Sequence, residues 1–355
     1  MSASSTSSRL RRGAVNRRSV IQGSAAMLGA AAGSTLLGAC GGSEPAGTGD
    51  PVTFLAVLPM TTLTYAPEML ADAAGFFTAQ GIDISFQSTR GSAQAIQLVL
   101  AGSAPITRIG QIEAMSHIAT RGAPMVNVGT VVKQSAVRFV SHADAPLLLP
   151  EDFVGKLLGI PSEGGESETT LDLLLAGAGL ELDSVERQVV GVGPGVFSLV
   201  EEGRIAGFMV SIDTATILEE QNPDAVVLRP GEFINSGSQL YMVSEDGLAE
   251  NPDIIRRYLE SIRQAIDFII ADEGFDETLR IMREKYSFGT LQSDSVAKAS
   301  LAEYVAAWTA AGDANIMRTD ASRWQAAYDE MVAAGLLEAG HDTAAWFTNE
   351  LVPVR

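Results

Sequence analysis

Two kinds of apolar pattern alternate along this chain. Short apolar runs occupy residues 52–58 (VTFLAVL), 82–86, 106–111, 126–132, 137–141, 157–160, 188–192, 207–210, 226–228 and 240–244. Their length and the turn residues around them read as buried strands. Between the runs, apolar residues recur at spacings of three and four, which predicts helices. These carry Met69, Leu70 and Ala73 behind Pro67, Ile96 and Leu100 behind Gly91-Ser92, and Met115 and Ile118 up to Gly122. Leu171, Leu174 and Leu175 share a further helical face, and residues 197–202 form a short helix. A longer amphipathic helix opens at Pro252 with Ile255, Leu259, Ile262, Ile266 and Ile269 on one side. The remainder reads as helical through Trp308, Trp324 and Met331 to a C-terminal arm. Strands alternating with helices define an α/β protein with parallel sheets. Asp144-Ala145-Pro146 reads as the break at which the chain crosses into a second α/β unit, and residues 240–244 as the strand that returns. No repeat of fixed period occurs, which excludes a solenoid.

The segment 155–175 sets the expectation for a binding site. Its strand stops at Pro161, passes through Gly164-Gly165 and enters a helix. Such a start leaves unpaired backbone N–H groups at the positive end of the helix dipole, where a ligand's acceptor atoms dock or an ordinary cap suffices. It is not a nucleotide P-loop, because no Gly-Lys-Ser/Thr follows the glycines. In parallel α/β sheets, ligands collect beyond the carboxyl ends of strands. Five segments meet that description: Thr61, Thr62 and Tyr65; Arg90, Gly91 and Ser92; Arg108, Gly110 and Gln111; Gly165, Glu166, Ser167 and Glu168; and Ser211 with Asp213. Each residue also has a structural reading, Ser92 and Ser167 as helix caps and Arg90 as a solvated charge.

Composition narrows the function classes. With 355 residues, 46% hydrophobic and 19% charged, the chain is long enough for two α/β domains and is globular rather than disordered. The formal charge is −19 even though residues 1–39 hold five arginines and no acid, so the body is strongly acidic. Such a body repels nucleic acid, and no nucleic-acid partner is expected. His117, His142 and His341 lack the close spacing of zinc ligands, and no Gly-x-Ser-x-Gly elbow occurs. All three histidines read as surface or structural. Carboxylates are plentiful, but no spacing favours paired-acid chemistry. Binding is therefore expected rather than catalysis, with no metal and no cofactor.

The N-terminus reads as an address. A basic segment with Asn16-Arg17-Arg18-Ser19 precedes an Ala/Gly-rich apolar stretch at 25–37 that is too short for a comfortable membrane span. Arg17 and Arg18 resemble a twin-arginine export signal. Leu37-Gly38-Ala39-Cys40 resembles the bacterial lipobox, and Cys40 is the only cysteine, leaving no thiol for a disulfide or catalysis. The expectation is an export signal over 1–39 and a lipidated tether over 40–50, with the protein held by lipid on Cys40 to the outer face of the cytoplasmic membrane.

Several motifs together resemble one family. Residues 73–84 (AAGFFTAQGIDI), 101–106 (AGSAPI), 152–161 (DFVGKLLGIP), 202–208 (EGRIAGF) and 251–258 (NPDIIRRY) are similar to the recurrent motifs of ABC-importer substrate-binding lipoproteins. That family, NMT1/THI5-like and SsuA-like, serves nitrate, alkanesulfonates, taurine, and thiamine-pyrimidine or riboflavin precursors. Pro105 and Ala206 stand where the family has acids. The C-terminal Arg323-Trp324-Gln325, residues 331–336 and residues 347–353 resemble the pyrimidine- and flavin-precursor branch. The resemblance implies a periplasmic-binding-protein type II fold, with one lobe of residues 51–138 plus 241–355 and another of 139–240. It implies a monomer that closes on a planar nitrogen heterocycle about crossings near Phe139 and Tyr241, then meets the subunits of an ABC permease. Tyr65, with Phe208 and Tyr241 nearby, would supply stacking. A small anion neutralised by Arg90 or Arg108 is the alternative cargo. An enzymatic alternative is a pyrimidine synthase, but those relatives use a histidine and a cysteine cluster, and the one cysteine here is assigned to lipid.

Overall fold

The computed structural model describes residues 49–161 and 166–354. Arg17, Arg18, Cys40 and Gly165, with the export and tether expectations, lie outside the described residues. In chain order the first elements are β1 (Asp50–Ala56), α1 (Ala66–Ala73), α2 (Phe76–Ala79), β2 (Ile82–Ser88), α3 (Ser92–Leu100), β3 (Ile106–Gly110), α4 (Gln111–Arg121) and β4 (Met125–Val132). A second run follows: β5 (Val137–His142), β6 (Leu157–Ile160), α5 (Glu166–Gly177), β7 (Glu186–Val189), α6 (Phe197–Glu201), β8 (Gly207–Ser211), α7 (Ile212–Gln221) and β9 (Ala225–Leu228). After β10 (Gln239–Ser244) come α8 (Glu245–Glu250), α9 (Pro252–Ala271), α10 (Asp276–Lys285), α11 (Gly289–Gln292), α12 (Asp294–Thr309) and α13 (Ala321–Ala333).

The strands form two five-stranded sheets, ordered β2-β1-β3-β10-β4 and β7-β6-β8-β5-β9. β1 runs parallel to β2 and β3, and β6 parallel to β7 and β8. The antiparallel strand of each sheet is the one by which the chain enters from the other: β5 against β8 and β9, β10 against β3 and β4. Helices cover both faces of the first sheet, so alternate residues of one strand feed different cores. Val52, Phe54 and Ala56 meet α1, α9 and α12, whereas Leu55 faces Ile96, Val99 and Trp324. Tyr241 and Val243 join the former core, Leu240 and Met242 the latter. All eight residues of β4 are buried for the same reason. The face foreseen on α9 is fully enclosed: Ile255, Leu259, Ile262, Ile266 and Ile269 are each at most 1% exposed. Burying each such side chain contributes roughly 1.5–3 kcal/mol.

The structure moves several boundaries. β1 ends at Ala56, and Val57 and Leu58 leave the sheet for the cleft. β7 covers 186–189 rather than 188–192, because as an edge strand it has only β6 to pair with, and Val189 and Val192 stay exposed. The crossing foreseen at Asp144-Ala145-Pro146 lies earlier, between Val132 and Val137. The 144–146 segment is a turn beside the second sheet, with Ala143 N–H donating to Asp224 O at 2.8 Å and Ala145 N–H to His142 O at 3.0 Å. Proline and aspartate mark a turn without saying what it joins, and the true crossing, Lys133-Gln134-Ser135-Ala136, carries neither glycine nor proline. Gln111 is the first residue of α4, not strand or loop. The C-terminal arm returns to the first sheet, where Thr348 N–H donates to Asn127 O at 2.9 Å.

Candidate functional site

A cavity of about 670 Å³ lies between the carboxyl ends of strands from both sheets. The loop after β1, the start of α3 and the β3–α4 junction line one side; the end of β6, the start of α5 and the β8–α7 junction line the other. Strand-to-helix junctions gather here because parallel strands release their chains at the same edge. Of the residues nominated from sequence, the fold brings Thr61, Thr62, Tyr65, Arg90, Gly91, Ser92, Arg108, Gly110, Glu166, Ser167 and Ser211 to the cavity wall. Gln111 instead lines a small crevice with Lys133, Ser238 and Arg323. Glu168 faces Arg187, 3.5 Å from its Nε. Asp213 turns to the first sheet's side, where its Oδ2 accepts from Thr62 Oγ1 at 2.7 Å and from Leu63 N–H at 2.9 Å. That carboxylate is a tie across the cleft.

Arg108 is not the free cation that the sequence suggested for an anion. Its Nη1 donates to Glu68 Oε1 and Oε2 at 3.0 and 3.1 Å, its Nη2 to Thr64 Oγ1 at 2.8 Å and to Thr64 O. Tyr241 Oη donates to Glu68 Oε1 at 2.8 Å. The guanidinium also stands 4.5 Å from the centre of the Tyr65 ring. Burial alone would lower the Arg108 pKa, but the Glu68 carboxylate outweighs it and holds the group above its usual range. The positive charge is therefore spent inside the fold. Arg90, by contrast, is exposed.

The expected stacking set also changes. Tyr65 is 2% exposed, and its Oη accepts from Leu58 N–H at 3.2 Å. Phe208 and Tyr241 are core residues with no exposure and do not reach the cavity wall.

Sequence reasoning missed several lining residues, among them Glu113, His117, Pro161, Val192, Thr214 and Tyr304. His117, read from sequence as surface or structural, sits at the wall with Nδ1 3.0 Å from Glu113 O. Glu113 carries the larger consequence. Its Oε2 is buried without a hydrogen-bond partner among the described residues. A Cβ placed on Gly110 would stand 2.4 Å from that oxygen and 2.9 Å from Glu166 Oε1, so the two carboxyl groups meet over the bare glycine. Burial pushes both pKa values up, and Glu113 raises Glu166 further by like-charge repulsion. The available signal was Glu113 in the first turn of a helix opening at a strand end, the place already searched for Gln111.

Two five-stranded α/β sheets around such a cleft are the type II periplasmic-binding-protein fold. The structure is similar to the periplasmic aliphatic sulphonate binding protein SsuA of Escherichia coli, with a TM-score of 0.64, 15% identity, and coverage of 84% of this chain and 97% of that one. The chain belongs to the NMT1/THI5-like family, whose model matches residues 63–273. Among relatives, it is 26% identical over 306 residues to the riboflavin-binding protein RibY of Chloroflexus aurantiacus, covering 84% of this chain and 85% of the relative. It is also 26% identical over 241 residues to the 4-amino-5-hydroxymethyl-2-methylpyrimidine phosphate synthase THI13 of Saccharomyces cerevisiae, covering 63% and 68%. Among the described residues, no helix is long and apolar enough to cross a membrane.

Proposed function

We propose that this protein is the extracytoplasmic substrate-binding protein of an ABC importer, closing on a small nitrogen heterocycle of the pyrimidine-precursor or flavin class and delivering it to the permease. The observation that carries the reading is the charge of the cavity. Its buried cation, Arg108, is matched by Glu68, the carboxyls of Glu113 and Glu166 meet inside the cavity, and Arg90 stands on the wall as an exposed cation. A sulfonate or nitrate entering here meets two acids and, among the described residues, no uncommitted buried cation. The volume agrees, since cavities of about 300–1,000 Å³ enclose ligands far larger than nitrate. The walls offer apolar surface from Val57, Ile109, Val137 and Val210, suited to a flat ring. The relative named for riboflavin binding supports the same class.

In this reading, the two lobes expected as residues 51–138 plus 241–355 and residues 139–240 are the two sheets with their helices, and their boundaries fall at the crossings 133–136 and 229–238. A ligand touching both favours the closed arrangement by its differential affinity for it. The Thr62–Asp213 contact then defines the closed cleft, and the crossings at 133–136 and after β9 are the hinge. The protein acts by binding, without catalysis, as a monomer exported through the signal at Arg17-Arg18 and anchored by lipid on Cys40.

Thermal shift tests the cargo. Riboflavin and 4-amino-5-hydroxymethyl-2-methylpyrimidine are compared with taurine, methanesulfonate and nitrate. A ligand at a hundred times its Kd stabilises by about 2.7 kcal/mol. Stabilisation by a heterocycle supports the reading. A shift with an anion and none with either heterocycle overturns it.

A further inference from the structure

The carboxyls of Glu113 and Glu166 come from opposite sides of the cleft, α4 against the first sheet and α5 against the second, and converge over Gly110. Glu113 Oε2 is sequestered from solvent yet has no hydrogen-bond donor among the described residues. A buried acceptor left in this state is costly, and two ionised carboxylates at this separation repel each other. Holding one proton between them removes the conflict.

Among the described residues, the neighbouring charges are engaged by other groups or, for Arg90 on the cavity wall, exposed. Arg108 is bound to Glu68, His117 lies one turn beyond Glu113 with its Nδ1 on the Glu113 carbonyl, and Arg90 is exposed. The phenols of Tyr65 and Tyr304 also line the cavity. On α5, Glu168 and Asp172 engage Arg187. From α13, which packs against α5, Arg323 donates to Lys133 O, Asp329 accepts from Gln325, and Glu330 accepts from Asn235 and Ser236.

We propose that Glu113 and Glu166 form a proton-sharing clamp that takes the edge of a heterocycle on which an N–H donor stands beside a ring-nitrogen or carbonyl acceptor. A protonated carboxyl presents an O–H donor next to an acceptor oxygen, and it pairs with such an edge through two parallel hydrogen bonds. Fully ionised, the pair offers acceptors only. A ligand carrying only acceptors, such as a sulfonate, is refused in either state by the remaining negative charge. Because the carboxyls belong to different sides, a ligand edge bridging them also pulls the cleft shut. This deepens the proposed function and rests on it: it specifies which edge of the heterocycle is read and makes capture depend on pH.

The test is calorimetric titration of the purified protein with riboflavin and with 4-amino-5-hydroxymethyl-2-methylpyrimidine between pH 5.5 and 8.5. Wild type, Glu113→Gln and Glu166→Gln are compared. For the probe that binds, wild-type affinity is expected to fall towards tenfold per pH unit as the pair loses its proton. Glu166→Gln is expected to keep binding with that slope flattened, since an amide also presents a donor beside an acceptor and cannot ionise. The same probe with every hydrogen on its donor nitrogen replaced by methyl, the ring N–H of riboflavin once or the amino group of the pyrimidine twice, is expected to bind wild type at least tenfold more weakly, a result that does not depend on how the variants fold. A wild-type affinity constant across the range, or a methylated probe that binds equally well, overturns the clamp while leaving the heterocycle reading intact. Failure of both probes at every pH, with binding of taurine or nitrate, overturns the functional reading itself.

Discussion

Replacing Glu68 by glutamine keeps the side chain's shape while removing its charge and one of the two oxygens that accept from Arg108. In the native protein the Glu68 side chain has no exposure and that of Arg108 2%, and they are joined by bonds of 3.0 and 3.1 Å. In the variant, the amide oxygen still accepts from Tyr241 Oη and from one guanidinium N–H. What it cannot do is balance a cation that lies beyond the reach of water. Removing one member of a buried ion pair typically costs about 3–5 kcal/mol, because the survivor's desolvation is no longer offset. Against a total stability of about 5–15 kcal/mol, that is a large share. Urea unfolding should therefore show Glu68→Gln with a markedly lower midpoint and an unchanged slope. In the double variant Glu68→Gln/Arg108→Met no unpaired charge remains, and at least half of the loss should return. A single variant less than about 1 kcal/mol below wild type, or a double variant worse than the single, would refute the assignment of Arg108 as a charge neutralised within the fold.

Gly110→Ala should weaken heterocycle binding more than tenfold while changing stability by no more than about 1 kcal/mol. Gly110 has φ −70°, so a Cβ there strains no backbone and only displaces the carboxyl ends of Glu113 and Glu166; calorimetry beside thermal melting checks both halves. Asp213→Ala strips the acceptor from Thr62 Oγ1 and Leu63 N–H, which should cost about 1–3 kcal/mol and enlarge the radius of gyration measured by small-angle scattering. Lys133, at the crossing between the sheets, has its ammonium pushed down to about 7 by burial and by nearby Arg323. Between that value and the higher unfolded pKa, the unfolded chain binds more protons, so Lys133 makes stability rise with pH across this window. Lys133→Met should remove that rise, as read from urea midpoints at pH 7, 8 and 9.

Much of the site was legible in local sequence because strand-to-helix junctions announce themselves. An apolar run ending in glycine, serine or proline ahead of a helical pattern located the β1, β2, β3, β6 and β8 exits, and all five reach one cavity. The reading failed where a residue's partner is distant in the chain. Arg108 looked available because Glu68 is forty positions away and Tyr241 enters from the returning strand. Asp213 looked like a ligand group, yet its donors lie about 150 residues earlier. Glu113 was passed over because a lone acid in the first turn of a helix is common, and only the approach of Glu166 across Gly110 makes it unusual.

By itself the sequence determined the element pattern, the α/β class and the enclosed face of α9, since periodicity and turn chemistry act over a few residues. It also determined the acidic balance of the chain, which is a matter of counting. The tertiary structure alone decided which charges are cancelled and which remain to meet a ligand. That choice depends on distances between segments brought together by the two crossings, and electrostatic energy in a buried cleft follows those distances rather than separation along the chain.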